Sequence, residues 1–261
     1  MGNNLLHELG GGYLPSCANG DVMTFPFPIP PGKRLYHPCC GDDLSAPLLS
    51  YAELIDVFIF VDASRLPRWE RHRNPRPETL PGHPGYQCIA SEVSGDPEAR
   101  PQRRYVKATD NHEDTLDSLT LEGSSCVLQE TYQSKTGRSI TVIRKSGCGL
   151  LSLEDLDGLD VFYYTGDGAG EGGSNLPLMR SPEQFWLPKM RTGGVVATDG
   201  SNDTSGQFGK WSRWSLQDLN SVIGKTFSSW GRQFTCQRDL GMKNGPVLEW
   251  GIEALNPPPL P

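Results

Sequence analysis

The residues best suited to chemistry stand at the ends of four predicted strands. They are Cys40-Gly41-Asp42-Asp43, Asp62, Thr165-Gly166-Asp167 and Thr198-Asp199-Gly200-Ser201. Carboxylates can accept hydrogen bonds from a ligand, take up a proton or bind a hard cation, and glycines let a ligand approach the backbone. Open α/β sheets bind ligands at the carboxyl ends of their strands. We therefore expect one site here, although Asp and Gly also end strands simply because they favour turns.

The loop of residues 165–175 has the most unusual local composition, with five glycines between Gly166 and Gly173. Backbone N–H groups in such a loop can approach a ligand closely, and Asp167 and Glu171 supply the only charges there. The loop follows a predicted buried strand and precedes a predicted capped helix, so both of its ends are anchored. We expect Asp167 and Glu171 to point into the same site as Asp62.

A group of arginines follows the second predicted strand. It comprises Arg65, Arg68, Arg71, Arg73 and Arg76, interleaved with Trp69 and opposed only by Glu70. Guanidinium groups bind phosphates and stack on bases, so contact with a phosphate or a nucleic acid is one interpretation, and a solvated loop is the other. The net charge of −7 argues against indiscriminate binding of nucleic acid but not against a local basic patch.

Strand and helix patterns alternate around these residues. Val57–Val61 is a continuous β-branched and aromatic run, typical of a parallel strand that is buried on both faces. Further strands are predicted at 34–37, 127–133, 138–144, 159–164 and 195–198, helices at 44–54, 181–193 and 216–223, and a terminal hairpin from 233–237 and 246–252. The alternation predicts an α/β, Rossmann-like fold: a mostly parallel sheet with helices on both faces and an antiparallel C-terminal β-hairpin.

The length of 261 residues, 36% of them hydrophobic, is sufficient for one sizeable core. We expect a single domain over residues 34–255, after a Pro/Gly-rich lead-in at 1–33 and before a Pro-rich tail at 256–261. The stretch at about 65–125 is much longer than the usual connection in an α/β unit, so it is interpreted as an insertion.

Several classes of protein are disfavoured by composition. The chain has no run of about 18 apolar residues and no signal-peptide pattern at its N-terminus, so we expect a cytoplasmic protein without a membrane partner. Its seven cysteines include no C-x-x-C pair and its five histidines are scattered. The pattern therefore indicates neither a disulfide framework nor a zinc site.

The order of these elements resembles the class I S-adenosylmethionine-dependent methyltransferase fold: a strand, a glycine turn, a helix, a second strand ending in an acidic residue, and a final antiparallel pair. Asp62 follows Gly41 by 21 residues. This is close to the ~20 expected between a nucleotide-binding turn and the carboxylate that holds ribose hydroxyls. By this resemblance Cys39, Cys40 and Gly41 would run beside the methionine part of S-adenosylmethionine, and Asp62 would hold the ribose.

The resemblance implies two sets of site residues. The cofactor-binding set is Cys39, Cys40, Gly41, Asp42, Asp62, Gly166 and Ser201, and the catalytic set is Asp167, Glu171 and Asp199. The first turn departs from the family pattern, because it keeps one glycine and places Asp42 and Asp43 where a ligand must approach closely. The chain is also similar to uncharacterised bacterial proteins that share its Gly-Asp-x-x-Gly-Glu-Gly-Gly-Ser and Thr-Asp-Gly-Ser-Asn runs.

Three functions remain open from the sequence. The first is a methyltransferase with an unknown acceptor, in which Asp167 or Asp199 acts as a base if the acceptor must lose a proton. The second is a Mg²⁺-dependent phosphoryl-transfer or hydrolysis enzyme that uses the strand-end aspartates as ligands. The third is a catalytically inactive scaffold that presents its loops to a protein partner.

Overall fold

A computed structural model describes twelve stretches of the chain. They are residues 25–41, 44–62, 66–67, 78–98, 102–106, 118–122, 126–147, 149–165, 182–200, 208, 221–241 and 247–254.

Strands dominate these stretches. They are β1 (Arg34–Pro38), β2 (Val57–Asp62), β3 (Thr79–Leu80), β4 (His83–Ser94), β5 (Gln102–Val106), β6 (Ser118–Glu122), β7 (Val127–Ser134), β8 (Ser139–Ser146), β9 (Leu159–Tyr164), β10 (Met190–Thr198), β11 (Thr226–Ser229), β12 (Arg232–Asp239) and β13 (Leu248–Ala254). The helices are α1 (Ser45–Tyr51), α2 (Gly149–Ser152) and a 3-10 helix at Leu187–Lys189.

Eleven strands form one mixed sheet in the order β11-β12-β13-β10-β9-β1-β2-β8-β7-β4-β3, and β5 and β6 form a separate antiparallel pair. The five central strands, β8-β2-β1-β9-β10, are all parallel to their neighbours. Antiparallel strands extend the sheet on both sides, beginning with β13 next to β10 and with β7 next to β8. Strand β1 therefore lies at the centre of the parallel region.

The parallel centre is buried on both faces. All six residues of β2 are buried, which agrees with its uninterrupted apolar sequence. Leu35, Phe58 and Val161 point to the face that packs against Leu48 and Tyr51 of α1. The opposite face is formed by Tyr36, Ile59 and Phe162 with Trp186, whose ring stacks on Phe162 at 4.6 Å between centroids. Two apolar layers thus hold the middle of the sheet.

The expectation of a Rossmann-like α/β fold with helices on both faces is wrong. In the part of the chain that the structure describes, the protein is mostly β, and its α-helices are only seven and four residues long. The predicted helix at 181–193 is instead a series of turns, the short 3-10 helix and the start of β10. Pro188 has no N–H to donate and fits only a first helical turn, while Gly193 adopts a positive φ of 77°. Pairing with β9 therefore takes the place of helix formation there.

The other predicted elements are confirmed to different extents. Strands β1, β2, β7, β8, β9 and β10 and helix α1 lie where the sequence predicts them. The C-terminal hairpin is also confirmed, because β12 and β13 pair antiparallel with Phe234 opposite Ile252. Of the predicted helix at 216–223, residues 216–220 lie outside the described stretches and Val222 lies in a turn.

The stretch interpreted as an insertion contains β3, β4, β5 and β6. Strand β4 pairs with β7 from Tyr86 to Ser94, so β3 and β4 extend the main sheet, whereas β5 and β6 form the separate pair. Within the described residues, no helix is long and apolar enough to cross a membrane.

Candidate functional site at the carboxyl edge of the parallel strands

The order of the central strands defines where a ligand can enter. From β1 the chain passes through α1 to β2 on one side, whereas from β9 it passes to β10 on the other side. Strands β1 and β9 are parallel neighbours. The direction of the strand order reverses between them, and in open sheets of parallel strands a ligand commonly binds outside the carboxyl ends at such a reversal, so we call this position the candidate crevice.

The turn after β1 is tied to the end of β2. The Gly41 N–H donates a hydrogen bond to Oδ2 of Asp62 at 3.1 Å, and the Cys40 N–H donates to the Val61 carbonyl oxygen at 3.2 Å. Asp62 is only 7% exposed. The two residues that the 21-residue spacing singled out are therefore in direct contact, next to the candidate crevice.

Two residues of this turn have left-handed backbone conformations, with φ of 52° at Cys39 and 53° at Gly41. A Cβ at Gly41 would meet nothing within 4 Å, so its conformation and not its surroundings favours glycine. Such a conformation is uncommon for a residue other than glycine, and at Cys39 it costs of order 1–3 kcal/mol. Strain of this kind often occurs at ligand-binding turns.

His37 lies inside the sheet, two residues before this turn. It is fully buried, and its ring contacts Tyr163 and Phe60 at centroid distances of 4.7 and 6.0 Å. Neither ring nitrogen has a hydrogen-bond partner among the described residues. Burial lowers the pKa of His37 from 6.5 to about 3, so the imidazole is neutral at pH 7. A buried polar atom without a partner costs about 1–3 kcal/mol, which makes His37 an unusual core residue.

A second polar group lies farther along the same face. The Tyr51 hydroxyl of α1 donates to Oε2 of Glu249 on β13. Arg238 on β12 donates to both oxygens of that carboxylate, at 2.9 Å each. Burial, and then the negative charge of Glu249, raise the pKa of Tyr51 well above its usual range. Tyr51 thus stays protonated as the donor, and the group joins α1 to the antiparallel side of the sheet.

The structure describes only part of the predicted site. One edge of the sheet carries five of the predicted residues, each at the end of a parallel central strand or just after it: Cys39, Cys40, Gly41, Asp62 and Asp199. Asp199 is half-buried there, next to Thr198, whose hydroxyl accepts a hydrogen bond from the Gly200 N–H at 3.1 Å. The remaining members lie outside the described residues: Asp42, Gly166, Asp167, Glu171 and Ser201, together with Arg65, Arg68, Arg71, Arg73 and Arg76. Their predicted roles stay predictions.

The predicted magnesium ligands are likewise mostly outside the described residues. The structure describes Asp62 and Asp199 but not Asp42, Asp43 or Asp167. Within the described part of the chain, no group of three or more His, Cys, Asp or Glu side chains is placed to hold a metal ion.

The sequence interpretation missed His37. Its one available signal was a polar residue that directly follows the apolar pair Leu35 and Tyr36 in a predicted strand. Such a residue at the end of a strand is usually exposed. Its burial follows from the strand order, which places β1 in the middle of the sheet and Tyr163 beside it.

Comparison of the chain with protein-family models, with curated proteins and with solved structures gave no match.

Proposed function

We propose that the chain binds S-adenosylmethionine in the candidate crevice between β1 and β9 and transfers its methyl group to an acceptor. The observation that carries this proposal is the Gly41–Asp62 contact, which holds a buried carboxylate at the end of β2 next to the turn after β1. A carboxylate can accept about four hydrogen bonds, so it can bind the Gly41 N–H and a pair of ribose hydroxyls together. The chemistry of Asp62 therefore suits the ribose of this ligand.

Methyl transfer makes few further demands on the protein. The bound sulfonium supplies the methyl group, and the protein has to align the acceptor with it and exclude water. Neither task needs a covalent group on the enzyme. Asp199 stands at the same edge of the sheet and is half-buried, and we assign it the role of base if the acceptor must lose a proton.

The test is calorimetric titration of the full chain with S-adenosylmethionine and with S-adenosylhomocysteine. Asp62→Asn keeps the shape of the side chain but removes its charge and half of its acceptors, and we expect at least a tenfold loss of affinity. Asp56→Asn is the matched control, just before the start of the same strand. Asp56 accepts a hydrogen bond from the Lys33 N–H at 3.0 Å and pairs with Arg138, at the opposite edge of the sheet.

We expect Asp56→Asn to bind as the wild type does. The proposal is overturned if the wild type gives neither heat nor a thermal shift with millimolar concentrations of either ligand. Equal binding by Asp62→Asn and the wild type would remove Asp62 from the ribose site, and with it the observation that supports this function.

A further inference from the structure

Strand β4 has an open backbone edge near one end of the sheet. On one side it pairs with β7. On its other side β3 covers the beginning of the strand, through pairs with His83 and Gln87 and a hydrogen bond from the Cys88 N–H to the Glu78 carbonyl oxygen at 2.8 Å. Among the described residues, no strand lies beside residues 89–94 on that side, since β5 and β6 form a separate pair.

This edge is short and largely regular. An edge strand exposes backbone N–H and C=O groups that can pair with a strand of another chain. The pairing of β4 with β7 is irregular between Cys88 and Ala90 and regular from Ala90 to Ser94. Five residues are a common strand length. Residues 90–94 can therefore pair with one short extended segment.

The side chains of this edge alternate between the two faces of the sheet. Val93 lies opposite Leu128 of β7, whereas Glu92 lies opposite Gln129. Opposite residues in an antiparallel pair share a face, and neighbours along a strand lie on opposite faces. Both Glu92 and Val93 are exposed. A strand that pairs here would meet an apolar side chain on one face and a carboxylate on the other.

The charge around this edge is acidic. Residues 78–98 carry four carboxylates and no lysine or arginine. Strand β7 has no lysine or arginine either, and Arg144 of β8 is wholly buried, where it pairs with Glu130 at 2.8 Å. The four carboxylates are all exposed: Glu78, Glu92, Asp96 and Glu98. A second copy of the chain would bring like charges together at this edge, which is unfavourable, so the charge favours a basic partner.

We propose that residues 90–94 of β4 bind an extended, basic segment of another protein as an additional strand of the sheet. Backbone hydrogen bonds supply part of the affinity, and the alternating side chains supply the selectivity. The segment carries lysine or arginine on the face of Glu92 and apolar residues on the face of Val93. This interaction does not depend on S-adenosylmethionine, because β2, β8 and β7 separate β4 from β1.

The test uses a synthetic peptide of about seven residues in which lysine and valine alternate. Its Kd for the full chain is measured by calorimetry, and we expect a value of about 10–100 µM. A second peptide has the same side chains but is N-methylated at every residue, so it cannot donate the backbone hydrogen bonds of a sheet. We expect it to bind at least about tenfold more weakly.

Glu92→Lys tests the position of the peptide on the protein. The substitution reverses the charge on one face of the edge, and we expect the lysine–valine peptide to bind at least about fivefold more weakly. Glu253→Lys is the matched control: it changes the net charge equally, but Glu253 is exposed on β13, which is paired on both sides by β12 and β10. Its Kd should stay within about twofold of the wild-type value, because distant charges are screened.

Thermal unfolding shows that each variant is folded, and hydrogen exchange locates the bound peptide, which should slow exchange in residues 90–94. The proposal is wrong if the lysine–valine peptide does not bind at millimolar concentration, if the N-methylated peptide binds equally well, or if both charge variants weaken binding to the same extent. Sedimentation of the free chain tests the other occupant. A dimer whose stability changes in Glu92→Lys but not in Glu253→Lys would assign the edge to a second copy and overturn the proposal.

Discussion

The burial of His37 makes the stability of the protein depend on pH. Desolvation lowers its pKa in the folded state to about 3, from the usual histidine value of 6.5. Below pH 6.5 the unfolded chain therefore binds a proton that the folded chain does not. The free energy of unfolding should fall as the pH falls, with a slope that approaches about 1.4 kcal/mol per pH unit between roughly pH 6 and 3. Above pH 6.5 this residue adds no slope.

Urea unfolding of the wild type and of His37→Phe at pH 7.5, 6.5, 5.5 and 4.5 measures this dependence. Because phenylalanine does not titrate, the variant should lose less stability than the wild type as the pH is lowered, and the gap should widen by about 1 kcal/mol or more for each unit below pH 6. Parallel curves for the two proteins would mean that the folded state accommodates a charged His37.

At the scale of elements, the Tyr51–Glu249–Arg238 group joins α1, β13 and β12. Glu249 is 6% exposed, whereas the Arg238 side chain is 44% exposed, so solvent screens part of their ion pair. Glu249→Gln keeps the shape of the side chain but removes its charge from hydrogen bonds with both partners. We expect it to lower the free energy of unfolding by about 1–3 kcal/mol, as measured by urea unfolding.

Glu253→Gln is the control for this prediction, because Glu253 is on the same strand but exposed. Its effect should stay within about 0.5 kcal/mol. If both variants lose the same stability, the effect belongs to charge on β13 in general and not to the bonds that Glu249 makes.

Elements were predictable where local pattern and tertiary environment agree. The apolar run of β2 identifies a strand because it matches the burial of that strand on both faces. The alternation of β8 also identifies a strand, although every residue of β8 after Ser139 is buried. At 181–193 the apolar spacing of Phe185, Trp186 and Met190 fits a helix, yet Trp186 is buried from a turn and Met190 begins β10. The choice there depends on pairing with β9, which no local window contains.

At the scale of the whole molecule, the sequence predicts the parallel centre better than its extensions. Strand β4 was not predicted, because Tyr86 is the one buried residue among its twelve and the strand has almost no apolar alternation. The residues of the candidate site also differ in how far the sequence predicts them. Gly41 and Asp62 come from a local turn and a recognised spacing, whereas the position of His37 between Phe60 and Tyr163 depends on the order of three strands.

The central strands are buried and β4 is exposed, so we expect their amide hydrogens to exchange at different rates. In β1, β2 and β9 nearly every residue is buried, and each strand is paired on both sides. Their amides should exchange only when the whole domain unfolds. Strand β4 is exposed along most of its length, and its pairs with β3 involve only Gln87 and His83. Its amides should exchange through local opening, at rates at least a hundredfold higher, because a difference of about 3 kcal/mol in opening free energy already produces that factor.

Exchange followed by mass spectrometry on peptides that cover 34–38, 57–62, 83–94 and 159–164 tests this order. Mild urea adds a second criterion. Exchange in the central peptides should speed up with the full denaturant dependence of global unfolding, whereas exchange in 83–94 should hardly respond, because a local opening exposes little new surface. If the amides of 83–94 were protected as strongly as those of β2 and had the same urea dependence, the prediction would be wrong. The sheet would then unfold as one cooperative unit, without separate local opening of β4.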